Sequence, residues 1–271
     1  MNRPKIAFIG GGNMAASLIG GILDEGYPSS YITVSGPTEE KLFRLNQKFG
    51  INTTKDNSIA AAGAEVILLS VKPKMVKSVS LELSASLKHR PLVISVAAGI
   101  PLPSLQKWLG EGIPIIRCMP NTPALVQTGA AGLFANTDVS PEQCDLATEI
   151  FNAVGVCCWL EKEEDIDAVT AVSGSAPAYF FLFMEAMEKT GIELGLSQEV
   201  ARKLILQTAL GAAKMAIENG AEPAELRRRV TSPAGTTEAA INTFLEGDIL
   251  GLFDKAMASC VRRAKELAQE A

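Results

Sequence analysis

Near its start the chain reads Lys5-Ile-Ala-Phe-Ile-Gly10-Gly-Gly-Asn-Met-Ala15, an apolar run that breaks into glycines and reopens as a helix. The apolar stretch Ile6 to Ile9 is short and bounded by glycine, so it reads as a buried strand. Gly10, Gly12 and Ala15 then fall on a G-x-G-x-x-G/A spacing. Each position has a physical task. Gly10 permits a tight turn, Gly12 lets a ligand's phosphates approach the backbone, and Ala15 lets the helix lie close on the strand. Free N–H groups at the helix start, with the positive end of its dipole, favour an anion there. The predicted helix carries Leu18, Ile19, Ile22 and Leu23 and stops at Gly26. A second strand at 31–35 follows at βαβ distance. This context puts nucleotide binding ahead of an ordinary glycine-rich turn.

The rest of the first half keeps the same rhythm. Strands are expected at 5–10, 31–35, 65–71, 91–97 and 113–118, with helices at 14–25, 39–49, 57–62, 76–87 and 102–109. Shorter strands at 130–135 and 156–160 flank a helix at 141–154. This pattern predicts an α/β, doubly wound, mainly parallel sheet over residues 1–161. Beyond Glu161 strand signals stop, and helices are expected at 165–171, 177–194, 198–218, 223–230, 237–245 and 249–270. Residues 162–271 therefore read as an all-α domain. Its apolar faces would bury best against a second copy, which predicts a dimer or larger assembly. The uncharged stretch 168–184 contains Ser173, Gly174, Ser175 and Pro177 and is short for a bilayer, so it is expected to be a buried helix with a break rather than a membrane span.

Composition narrows the function. The 271 residues carry a net charge of −5, which argues against nucleic acid or an anionic membrane as the main partner. Five cysteines in no C-x-x-C spacing, and a start with no signal peptide, predict a reducing, cytoplasmic setting. Cys118 reads as an apolar filler rather than a nucleophile. The single histidine, His89, sits between Lys88 and Arg90 and reads as a solvated loop residue. That leaves no histidine for a Ser-His-Asp triad or a multi-histidine metal site, and no metal is expected.

For the cofactor, a carboxylate at the tip of the second strand would bind the ribose 2′-OH of NAD. That strand instead ends Val34-Ser35-Gly36-Pro37-Thr38. Ser35 and Thr38 hydroxyls, with Lys41 or Arg44, would receive a 2′-phosphate, so NADP(H) is favoured and NAD(H) is the alternative. The next strand ends, Ser70-Val71-Lys72-Pro73 and Val96-Ala97-Ala98-Gly99, should face the same ligand.

Taken together the motifs resemble the pyrroline-5-carboxylate reductase family over essentially the whole chain. They are Phe8-Ile-Gly-Gly-Gly-Asn-Met-Ala15, Ser70-Val-Lys-Pro73, Ser95-Val-Ala-Ala-Gly99, Arg117-Cys-Met-Pro-Asn-Thr-Pro123, Ser173-Gly-Ser-Ala-Pro-Ala-Tyr179 and Thr231-Ser-Pro-Ala-Gly-Thr-Thr237. The resemblance implies a Rossmann domain followed by a helical dimerisation domain, with dimers often joined into a decamer. It implies NAD(P)H-dependent reduction of 1-pyrroline-5-carboxylate to L-proline by hydride transfer to the imine carbon. By position it places the cofactor on Gly10, Gly11, Gly12, Asn13 and Met14, on Ser35 and Asn57, on Ser70, Val71, Lys72 and Pro73, and on Ala97 and Ala98. Met119, Pro120 and Asn121 would lie near the nicotinamide. Substrate contacts would come from Glu163, Ser232, Gly235, Thr236 and Thr237, between one subunit's cofactor domain and its partner's helices. Ala176 and Ala234 stand where many members have glycine, and Ser35-Gly36 where many bacterial members have Asn-Arg.

The chemistry requires that a carboxylate be gripped, the ring held against the nicotinamide, and its nitrogen hydrogen-bonded. The 231–237 segment is a Ser/Thr/Gly/Pro loop feeding a helix, whose free N–H groups suit a carboxylate. Taken alone it reads as an ordinary helix cap. Thr237 is the expected hydrogen-bond partner of the ring nitrogen and thus the catalytic residue. Glu163 lies in the run Glu161-Lys-Glu-Glu-Asp165, by default a solvated charge cluster. A β-hydroxyacid dehydrogenase shares this layout but needs a lysine in a glycine-rich Lys–Asn context, which Lys189, Lys203 and Lys214 lack. A redox-sensing regulator would need a basic patch or helix-turn-helix, and neither stands out.

Overall fold

In the computed structural model, which describes residues 3–269, the glycine turn follows the third strand in the order of an eight-stranded sheet. Expectations that touch residues 1–2 and 270–271 lie outside that range. The first strand, β1 (Ile6–Ile9), is flanked by β2 (Ile32–Ser35) and β4 (Val66–Leu69). With β3 (Asn52–Thr54), β5 (Leu92–Ser95), β6 (Ile115–Met119), β7 (Gly129–Ala135) and β8 (Gly155–Trp159), the order is β3-β2-β1-β4-β5-β6-β7-β8. Among the described residues only β6 and β7 pair antiparallel. The chain winds outward from β1 in both directions, so the crevice beyond the carboxyl ends of β1 and β4 is the topological switch point where such sheets take ligands.

Two apolar layers cover the sheet, because strands β1, β4 and β5 alternate between faces and are buried on both. One face gathers Phe8, Leu68 and Ile94 with Leu18, Ile22, Ile150 and Phe151, from α1 (Asn13–Asp24) and α6 (Pro141–Asn152). The other gathers Ala7, Ile67 and Val93 with Val76, Leu83 and Leu105, from α4 (Pro73–Leu83) and α5 (Leu102–Leu109). Helices α2 (Glu39–Phe49) and α3 (Asn57–Ala61) complete the winding. As expected, α1 ends before Gly26, whose φ of +78° suits glycine.

Three local expectations change. The edge strand β3 was not predicted, since Asn52-Thr-Thr54 is short and polar. Helix α4 begins at Pro73 rather than at 76, the proline occupying a first-turn position that needs no N–H donor. The break in 168–184 is a π-helical turn, Thr170–Gly174, between α7 (Asp165–Val169) and α8 (Ala176–Glu193).

By contact density the chain divides into Met1–Ser175 with Cys260–Ala271, and Ala176–Ser259. The second unit holds α8, α9 (Gln198–Asn219), α10 (Pro223–Arg229), α11 (Thr236–Glu246) and the first part of α12 (Ile249–Gln269). Inside it Phe183 stacks on Phe253 with centroids 5.8 Å apart. Its helices are not buried in the single chain, contrary to the expectation for 168–184 and 198–218. Phe181 is 63% exposed and Leu210 62% exposed, because one copy of the unit has too few elements to cover them.

Candidate active site

The glycine turn is built as its spacing demands, with different reasons at each position. Gly10 has φ +107°, and a Cβ there would lie 2.8 Å from the Ser70 carbonyl oxygen. The Ser70 hydroxyl donates to the Gly10 carbonyl at 2.7 Å and ties the end of β4 to the turn. A Cβ on Gly11 would meet Leu45 Cδ1 at 2.7 Å. Gly12 differs, for the nearest atom to its Cβ position is Ser70 O at 3.9 Å. Gly12 is also the N-cap of α1, no side chain caps that helix, and no acid lies in its first turn. Asn13 and Met14 thus open a helix whose first N–H groups and dipole have no internal anion. An open backbone over an uncapped helix start fits the pyrophosphate of a dinucleotide.

At the tip of β2 the structure brings Ser35 and Asn57 together. The Ser35 hydroxyl is fully buried and donates to Asn57 Oδ1 at 2.7 Å, and Asn57 Nδ2 donates to Glu82 Oε2 at 3.2 Å. The expected cation Arg44 is paired with Glu40 at 2.5 Å. Lys55 was not foreseen. It follows the unpredicted strand β3, beside the end of β2, and pairs with Glu39 at 2.6 Å. That bond holds the Glu39 carboxyl below the usual range. No carboxylate belongs to the tip Ser35–Thr38 itself.

The ends of β4 and β5 meet at one cavity of about 660 Å³, lined in part by Lys72, Pro73, Ala98, Gly99 and Trp108. Lys72 is the exposed N-cap of α4, Val71 packs partly against the core, and Ala97 is buried. At the end of β6, Met119 lies against Gly174, where a Cβ would come within 2.4 Å of Met119 Cε. After Pro120, the buried Asn121 accepts from the Ala130 N–H at 2.9 Å and donates to the Ser173 carbonyl at 3.1 Å. Its amide braces the chain that follows β6 against β7 and the π-helical turn.

Glu163 departs from the solvated-cluster reading. Its Oε1 pairs with buried Arg117 at 2.8 Å and accepts the Leu102 N–H at 2.7 Å. Glu161, Glu164 and Asp165 of the same run are exposed. Cys118 is buried as expected, and burial pushes its thiol well above the usual range. His89 is exposed, as the loop reading had it. Among the described residues no cluster of three His, Cys, Asp or Glu side chains is placed to hold a metal.

In the second unit, the 231–237 segment forms a tight turn into α11. Ala234 takes φ +55°, Gly235 donates to the Ser232 carbonyl at 3.0 Å, and a Cβ on Gly235 would sit 2.9 Å from that carbonyl oxygen. Gly235 is the N-cap of α11, with no side chain capping the helix. Glu238 turns its Oε2 back to accept the Ala234 N–H at 2.8 Å. Ser232, Thr236 and Thr237 are exposed around this start.

Such a sheet, with an open glycine turn at its switch point, defines a dinucleotide-binding protein of the doubly wound class. A family described as pyrroline-5-carboxylate reductase dimerisation matches residues 163–267, and one described as NADP oxidoreductase, coenzyme F420-dependent, matches 5–99. The chain is 53% identical over 270 residues to a pyrroline-5-carboxylate reductase of Pseudomonas aeruginosa, covering 100% of this chain and 99% of that one. It superposes on a pyrroline-5-carboxylate reductase of Coxiella burnetii with TM-score 0.95 at 46% identity, covering 98% and 99% of the two chains. With a Plasmodium falciparum pyrroline carboxylate reductase solved with NADP bound, the TM-score is 0.88 at 28% identity, covering 99% of each chain. The chain belongs to the pyrroline-5-carboxylate reductase family.

Proposed function

We propose that this chain reduces 1-pyrroline-5-carboxylate to L-proline with NADPH, and that each half of the reaction is held by one uncapped helix start. The single observation that carries this reading is the pair of helix starts whose N-cap is a glycine with no side-chain cap, α1 behind Gly12 and α11 behind Gly235, in a member of this family. The first takes the cofactor's phosphates and the second the substrate's carboxylate. When bound, NADPH supplies the hydride that adds to the imine carbon.

The chain's own residues grip, orient and hydrogen-bond. Gly10, Gly11, Gly12, Asn13 and Met14 cradle the pyrophosphate. Ser35 and Asn57 shape the ribose pocket, with Lys55 beside it for a 2′-phosphate. Ser70, Val71, Lys72, Pro73, Ala97 and Ala98 line the passage towards the nicotinamide, and Met119, Pro120 and Asn121 back the nicotinamide itself. Ser232, Gly235 and Thr236 hold the carboxylate, and Glu163 reaches the substrate side with Oε2, since Oε1 is engaged. The Thr237 hydroxyl accepts from the ring N–H. The imine binds already protonated, so its nitrogen receives the electron pair of the C=N bond without a separate proton donor.

The functional boundary lies at 161/162, next to the start of the dimerisation match at 163. Asp165–Glu193 is long and apolar enough to cross a bilayer, and its apolar stretch is mostly exposed in the single chain. A second copy covers that face in our reading, forming a homodimer that further assembles into a decamer in the cytoplasm. The test is Thr237→Ala. Losing a hydrogen bond to a charged group, worth about 1.5–3 kcal/mol, lowers kcat/KM for the imine roughly ten- to a hundredfold. NADPH affinity should not change. A variant with wild-type kcat and KM would remove Thr237 from the mechanism.

A further inference from the structure

We propose that Arg117 and Glu163 form a positioning pair that locks two cofactor-facing segments, 97–101 and 119–121, into one arrangement. The inference rests on the NADP-binding reading and deepens it. Arg117 lies on β6 two residues before Met119, and its side chain is 6% exposed. Leu102 is the first residue of α5 and closes the 97–101 loop. One oxygen, Glu163 Oε1, meets both, at 2.8 Å from Arg117 Nη1 and 2.7 Å from the Leu102 nitrogen.

The pair is specific. Pro101, the N-cap of α5, has no side chain that can cap the helix, so a carboxylate from 61 residues further along the chain does so. Arg117 Nε is buried and meets no acceptor, so the guanidinium depends on Glu163 for its compensation. A buried charge held by one partner is a costly element of a core, and hydrophobic residues of the same size are often as stable. What the ion pair adds is register between the β5 loop and the β6 end. Neither residue has to touch the reacting atoms, because an error of about 1 Å in placing the nicotinamide is enough to cost on the order of a hundredfold in rate.

The test combines amide hydrogen exchange on the cofactor-free protein with NADPH titration by tryptophan fluorescence. Glu163→Ala removes the acceptor and should speed exchange at Leu102 about tenfold or more, whereas Glu163→Gln keeps an acceptor oxygen and should leave it nearly protected. The double variant Arg117→Met with Glu163→Gln leaves no buried charge and keeps the Leu102 acceptor, so it decides the matter if single variants fail to fold. Its NADPH Kd should rise about tenfold or more with Leu102 still protected, and Kd decides because the same variant also alters the substrate-side Oε2 of Glu163. A folded double variant with wild-type Kd would overturn the proposal, as would wild-type exchange at Leu102 in Glu163→Ala. Exchange and titration use no imine, so failure of the wild type to reduce the imine would count against the function and not against the pair.

Discussion

Gly10 and Gly12 show how neighbouring glycines in one motif carry different duties. Gly10 has a left-handed φ and a backbone oxygen against its Cβ position. Gly10→Ala should therefore lower stability by about 2 kcal/mol or more, seen as a shifted denaturant midpoint. A Cβ on Gly12 would meet only ordinary contact, 3.9 Å from Ser70 O, so Gly12→Ala should nearly keep the midpoint and weaken NADPH binding, measured by titration. Cysteine reactivity should divide in the same residue-by-residue way. Burial holds Cys118 protonated well above its usual range, while Cys158 is exposed. Near neutral pH an alkylating reagent should label Cys158 in the native protein and reach Cys118 only after unfolding, as peptide mass mapping would show. The roles of Gly10 and Cys118 were legible from sequence. The engagement of Glu163 was not, since an acidic run does not announce which carboxylate turns inward to an arginine 46 residues away.

Among elements, those with strong periodicity were legible. The parallel strands β1, β4 and β5 read as buried apolar runs, and α1 and α5 end where glycine follows. Strand β3 escaped because three polar residues on a sheet edge have no hydrophobic pattern, and Lys55 escaped with it. The π-helical turn was visible as a break near Gly174 and Pro177, but no periodicity in the sequence announces its type. Burial of α8 and α9 was misread because sequence shows which faces are apolar and not which copy covers them. Between these two helices, Arg202 and Gln198 bind Glu188 and hold its carboxyl below the usual range. A depressed carboxyl contributes stability above its unfolded pKa and loses it as pH falls through the lower folded pKa. Thermal midpoints of wild type and Glu188→Gln should thus differ most near neutrality and converge on acidification below about pH 4.

At the scale of the molecule, the exposed apolar faces of the second unit are the largest departure from a self-sufficient chain. Leu210→Glu should yield monomers by analytical ultracentrifugation while NADPH still binds, because the cofactor turn lies wholly in the first unit. Imine reduction should be lost in the same variant if the substrate turn is presented by a partner. The most direct test of the whole account is NADPH oxidation followed on addition of 1-pyrroline-5-carboxylate, with proline quantified in the same samples. We expect one proline for each NADPH consumed, and a loss of rate on the order of ten- to a hundredfold in Thr237→Ala. Absence of imine-dependent NADPH oxidation by the intact, folded protein would contradict the account.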